Sequence, residues 1–132
     1  MTRLLSIITL VLALVLFPPA ALAVVSNNAV PGDSTYPIKR GLEDVIYAVA
    51  SLNPNTKALF AKARSDRRFQ EITTLLTQGK DASKTLNELV EQTRAAANQI
   101  DQVSDLTQRA KLTSQLSDSI TKYDQGLSQV SQ

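Results

Sequence analysis

The chain has no cysteine, no histidine and no tryptophan, and only four glycines among its 132 residues. Each absence removes a class of function. Without cysteine there is no disulfide framework, no thiolate nucleophile, no cysteine zinc site and no lipid-modified N-terminal cysteine. Without histidine the commonest general base near neutral pH and the commonest transition-metal ligand are both missing. Neither G-x-G-x-x-G nor G-x-x-x-x-G-K-[ST] occurs, so no glycine loop cradles a phosphate. Only a serine–lysine or paired-carboxylate arrangement would remain for catalysis. The residues single out no catalytic, cofactor-binding or metal-ligating set, and the expectation is a protein that is not an enzyme and needs no cofactor.

What is present begins with an address. Arg3 is followed by an apolar run from Leu4 to Phe17, then Pro18-Pro19, then Ala21-Leu22-Ala23. A short apolar helix, a proline stop and a small-x-small pattern are the features that a signal peptidase reads, which places cleavage after Ala23. The alternative is an uncleaved anchor over residues 4–25, just long enough to span a bilayer. Either way the remainder is expected outside the cytoplasm: periplasmic, cell-surface or secreted. Cleavage would leave 109 residues, Val24–Gln132, and lower the formal charge from +2 to +1. That balance lacks the basic stripe and stacking aromatics of a nucleic-acid binder. One basic segment stands out: Lys57, Lys62, Arg64, Arg67 and Arg68 face only Asp66. Its plainest reading is a solvated helix face, its alternative a contact for an anionic envelope polymer.

Residues 24–33 read as a linker and turn, and residues 34–130 as an all-α bundle of three to four antiparallel helices. Pro31-Gly32-Asp33-Ser34 forms a tight turn, with Ser34 or Thr35 as helix cap and Pro37 in the first helical turn. Helix one places Ile38, Leu42, Val45, Ile46 and Val49 on one face, the expected core side, with Lys39–Glu43 and Arg40–Asp44 as surface pairs. Asn53-Pro54 starts helix two, whose stripe is Ala58, Ala61, Ser65, Phe69, Ile72, Leu75 and Leu76. Arg68 falls inside the edge of that apolar sector, three residues before Glu71. An arginine there needs a partner, and Glu71 is the first choice, with an acid from helix one as an additional one.

Gly79 ends helix two, and Asp81 or Ser83 caps helix three. The stripe on helix three is Leu86, Leu89, Thr93, Ala96, Ile100 and Val103, widened by Val90 and Ala97. Asp105 and Gln108 are spaced as a capping box, so a fourth helix is expected from about Leu106 rather than one long rod. Its stripe reads Thr113, Leu116, Ile120, Tyr123, Leu127 and Val130, with fraying expected beyond Gly126. These narrow seams call for antiparallel neighbours or a partner helix.

Pro31, Gly32, Asp33, Tyr36, Pro37, Lys39, Arg40 and Glu43 together make the pattern P-G-D-x-x-Y-P-x-K-R-x-x-E. It resembles the opening signature of a bacterial extracytoplasmic family, domain of unknown function 5667, and Arg68 with Glu71 is similar to the R-x-x-E of that family's second helix. The resemblance runs from about Val30 to Ile100. It implies an exported all-helical domain and supplies no activity. Some relatives look as if they sit beside anti-sigma-type membrane proteins, but no cytoplasmic domain that could bind a sigma factor is expected from these residues. On the residues alone, the motif is either a structural turn or a recognition surface. The functional expectation is a non-catalytic interaction or scaffold module in the envelope, its partner another envelope protein or a second copy. The alternative is a sensor or adaptor that binds through residues 57–68, tethered if residues 4–25 remain.

Overall fold

The computed structural model describes residues 28–130, together with Arg3 and Ser6. Apart from those two residues, the expected signal peptide, its cleavage signal at Ala21 and Ala23, and linker residues 24–27 lie outside the described residues. Between residues 28 and 130 the chain forms four helices and no strand: α1 (Tyr36–Ala50), α2 (Pro54–Thr77), α3 (Ser83–Asp101) and α4 (Leu106–Val130). It is an all-α bundle. Among the described residues no helix is long and apolar enough to cross a membrane. The chain divides after Asp44, within α1, into two compact units.

In the first unit, the turn before α1 is closed by its own hydrogen bonds. The Val30 amide donates to Asp33 Oδ2 (3.0 Å), and the Asp33 amide donates back to the Val30 carbonyl (3.0 Å). Gly32, between them, has φ +100°, a conformation that costs a side-chain-bearing residue and not glycine.

In the second unit, each boundary has a local cause. Asn53 caps α2, its Oδ1 accepting from the amides of Asn55 (2.8 Å) and Thr56 (3.4 Å), with Pro54 at the first helical position. Gly79, at φ +69°, ends it: the Lys80 amide reaches the Leu75 carbonyl (2.9 Å) and the Gly79 amide reaches Leu76 (3.1 Å), satisfying the last carbonyls. Before α3, Asp81 Oδ1 takes the Ser83 amide (2.9 Å). The Ser83 hydroxyl, which donates to the same oxygen (2.5 Å), and then the amide hold the exposed Asp81 carboxyl below its ordinary range. The break between α3 and α4 is real, and Asp105 Oδ1 accepts from the Gln108 amide (3.0 Å) to start α4.

Packing follows the small residues. Ala58 and Ala61 of α2, Ala96 and Ile100 of α3, Val103, and Leu112 and Leu116 of α4 make the core, with Tyr47 packed against it. Arg68 meets Glu88, and Ala61 shares a pocket wall with Ala95, so α3 runs antiparallel to α2. Asn55 and Leu59 stand beside Gln108 and Leu112 at one end, and Phe69 meets Gly126 at the other. α4 is therefore parallel to α2.

Three expectations are corrected. On α4 the buried positions are Leu112, Leu116, Ser119 and Tyr123, not the Thr113–Ile120–Leu127 line, and Ile120 is exposed. The rotation brings small residues, Ser119 and Gly126, to the packed side, and the helix continues past Gly126 to Val130. On α3, Leu86 and Val90 are exposed while Thr85 is buried. The largest departure is α1. In the second unit its expected core positions are exposed, Val45 62% and Val49 65%, with Leu52, just past the helix, 87%, while Leu42 in the first unit is half-buried. Lys39 and Glu43, expected on the surface, are 7% and 3% exposed. Lys39 is held there by donating from Nζ to the buried Ala29 carbonyl (3.0 Å), a bond that an aliphatic side chain cannot replace.

Candidate functional site

The motif residues of the first unit are tied to one another. Asp33 closes the turn and its carbonyl receives the Tyr36 amide (3.1 Å), starting α1. Pro31 and Gly32 shape that turn, and Pro37 occupies the first helical turn, where no amide donor is needed. The Arg40 guanidinium donates to the Tyr36 hydroxyl (3.2 Å) one turn away and lies 5.9 Å from its ring centre. Lys39 lies 6.0 Å from the same ring and anchors Ala29. Every one of these contacts is local and shapes the entry into α1.

In the second unit, Arg68 is fully buried and pairs with Glu71 at 2.9 Å, as the sequence suggested. A second carboxylate, Glu88 of α3, stands 3.8 Å from its other guanidinium nitrogen. This places a buried arginine between two acids at the contact of α2 with α3. The rest of the basic segment is dispersed. Lys62 pairs with Asp66 at 2.9 Å, and Arg64 lies 4.8 Å over the Tyr47 ring. Beneath that stack Tyr47, Ala61, Arg64, Gln92 and Ala95 line a cavity of about 90 Å³. It has room for a few waters and falls short of the roughly 300 Å³ that a small-molecule site starts from.

A network that the sequence did not announce joins α2 to α4. The Tyr123 hydroxyl donates to Asp66 Oδ1 and shares a 2.9 Å hydrogen bond with Ser65 Oγ. The Tyr123 ring stacks on Phe69 with centroids 4.9 Å apart. Ser65 within an apolar stripe was the available signal, since a fully buried hydroxyl must have a partner.

Burial first, then the Asp66 carboxylate, raises the Tyr123 phenol well above its ordinary value of 10.0. In the unfolded chain the phenol ionises near 10, while the folded chain keeps the proton to higher pH. Unfolding above that point releases a proton, so the contribution is complete below pH 10 and lost as pH rises beyond it. Wild-type stability should therefore fall relative to Tyr123→Phe by up to ~1.4 kcal/mol per pH unit above about pH 10. Urea titrations of both proteins at pH 8–11.5 check this, and parallel curves would contradict it.

Among the described residues no group of three histidine, cysteine, aspartate or glutamate side chains is placed to hold a metal ion. Among the described residues, Val45, Ile46 and Val49 of α1, with Leu52 beyond, form a run of exposed aliphatics, and Leu86 and Val90 of α3 form a shorter one. No curated protein and no solved structure matches the chain. The sequence model of one family, described as Domain of unknown function (DUF5667), matches residues 28–132.

Proposed function

The chain belongs to that family, and from this premise we propose that it is a non-catalytic, exported helical interaction module of the bacterial cell envelope. The observation that carries the reading is the exposed aliphatic run of α1 in the second unit. An amphipathic helix gains its stability by covering its apolar side, yet in the second unit Val45 and Val49 of α1, and Leu52 in the turn after it, stand in solvent. Scattered exposed aliphatics are ordinary, but a row of them on one helix marks a surface made for contact.

The apolar run and small-x-small pattern of residues 4–23 support export. If residues 4–25 are retained, the module is tethered to the membrane from which it is exported. An adaptor that reads an anionic polymer through Lys57–Arg68 has less support, because Arg68 has no exposed surface and Lys62 and Arg64 are engaged.

The test is site-specific photocrosslinking in cells, with a photoreactive residue at position 49 and a control at Asn87, which is exposed on α3. The module reading expects a discrete higher-mass product from position 49 and none from position 87. Equal labelling, or none from either, would refute it. Intact mass after fractionation then tells a soluble species beginning at Val24 from a membrane-bound one retaining Met1.

A further inference from the structure

The three joints between the helices are not built alike. Pro54 makes the α1–α2 joint a hard stop: it has no amide to donate, and Asn53 before it is extended (φ −133°, ψ 129°). Gly79 stops α2 with a left-handed backbone, φ +69°. The α3–α4 joint has neither device. Gln102, Val103, Ser104 and Asp105 lie in a stretch, Lys80 to Gln125, that contains no proline and no glycine. Gln102 is right-handed (φ −83°, ψ −8°), and among the described residues the positive φ angles are those of Gly32 and Gly79. Side chains hold this joint bent. Val103 has no exposed surface, Asp105 Oδ1 accepts from the Gln108 amide, and Arg109 Nε donates to the Val103 carbonyl (2.8 Å). Nothing in the covalent backbone of the joint forbids a continuous helix.

We propose that this joint opens, so that α3 and α4 become one rod and α4 docks on the α2–α3 pair of a second copy of the chain, which returns its own α4 in exchange. Helical phase selects that occupant. At 100° per residue, Leu89, Ala96, Ile100 and Val103 point one way along such a rod, and Leu112, Leu116, Ser119 and Tyr123 point about 160° away. The α2 that covers α3 therefore cannot also cover α4. A second copy carries the missing surface in full: Ser65 and Asp66 for the Tyr123 hydroxyl, and Phe69 for Gly126. Each contact is remade twice about a two-fold axis. Any other protein would have to reproduce both the hydroxyl–carboxylate cluster and a ring that only glycine can approach. The balance between the two forms is local. The bent chain keeps the Asp105 cap and the buried Val103, while the rod gains helical hydrogen bonds across the joint. Exchange joins two chains, so it rises with concentration and the closed monomer prevails in dilute solution. The inference stands apart from the interaction-module reading and uses no residue of α1.

The test is size-exclusion chromatography with light scattering of the full chain, as recovered from its host, after unfolding in urea and refolding over a micromolar to submillimolar series. A dimer is expected to appear as the refolding concentration rises. Asp105→Ala removes the cap of the bent form and places a better helix former in the rod, and should raise the dimerisation constant about tenfold or more. Ser104→Gly, at an exposed position, weakens the rod and should lower that constant by roughly threefold. Both variants should keep the helical circular dichroism of the wild type. Exchange is told from side-by-side pairing with Asn55→Cys/Lys111→Cys, two exposed positions that line one pocket where α2 meets α4. The chain has no cysteine of its own to interfere. A bifunctional maleimide should join the two thiols within one chain in the monomer fraction and between chains in the dimer fraction, read as mass on a denaturing gel. Three results each overturn the proposal: no dimer from wild type or Asp105→Ala, a dimerisation constant that Asp105→Ala leaves unmoved or lowers, or a dimer fraction whose links all fall within one chain.

Discussion

Arg68→Ala is expected to cost about 3–5 kcal/mol, the penalty for leaving a buried charge without its counter-charge. Glu71 is 2% exposed and would keep a carboxylate in the interior with its arginine gone, while Glu88 across the α2–α3 contact would add a like charge. In a domain of this length, a loss of that size is a large fraction of total stability. The mechanism separates this outcome from simple loss of packing. If the penalty is electrostatic, the double variant Arg68→Met/Glu71→Leu removes both charges, retains the volume and should recover most of the loss. Chemical denaturation of wild type, Arg68→Met, Glu71→Leu and the double forms the cycle. A loss below about 1 kcal/mol for Arg68→Ala, or a double variant as unstable as the summed singles, would show that the pair does not hold the bundle together.

The second large effect runs against helix propensity. Gly126 lies inside α4, where alanine is ordinarily better by roughly 0.5–1 kcal/mol. Here the added Cβ would stand 2.5 Å from Phe69 Cζ and 3.1 Å from Cε2. The ring has little freedom to withdraw, since it is buried and stacked on Tyr123. Overpacking of this kind costs ~1–3 kcal/mol, so Gly126→Ala should destabilise by about 1–2 kcal/mol net. Phe69→Leu shortens the obstacle, and the combined variant should lose less than the two separate losses added. A melting midpoint raised by Gly126→Ala would refute the close approach.

Arg68 and Gly126 mark what could and could not be read from the sequence. Arg68 was legible because its setting is local: a cation in an apolar sector with an acid three residues on has few other outcomes. The same holds for Gly79 and Asp105, whose roles as helix stop and helix start depend on neighbours two to four residues away. The face of α4 was not legible. Leu116 and Tyr123 belong both to the line read from the apolar residues and to the true line through Leu112 and Ser119. The choice between them was made by Ser119 and Gly126, small residues that hydropathy does not score as core. The Tyr123–Asp66 hydrogen bond spans 57 residues, and no window along the chain contains both ends. The orientation of α1 was hidden for a different reason. Periodicity shows where the apolar side of a helix lies, not whether this chain or another supplies its cover. The apolar spacing of Val45, Ile46 and Val49 is therefore legible and their exposure is not, and Lys39 and Glu43, spaced as a surface pair, are buried.

The order of the helices also bears on how the bundle is made. α2 and α3 are consecutive and joined by a short turn, so their shared core of Ala58, Ala61, Ala96 and Ile100 assembles with little loop-closure entropy. The attachment of Tyr123 and Gly126 to Ser65, Asp66 and Phe69 must close a loop of nearly sixty residues and has α3 in its path. Contacts of that kind are expected to form after the local hairpin. Interactions absent from the transition state govern how fast a protein unfolds, not how fast it folds. On that order, Gly126→Ala should speed unfolding and leave the folding rate nearly unchanged, which stopped-flow chevrons of both proteins would test.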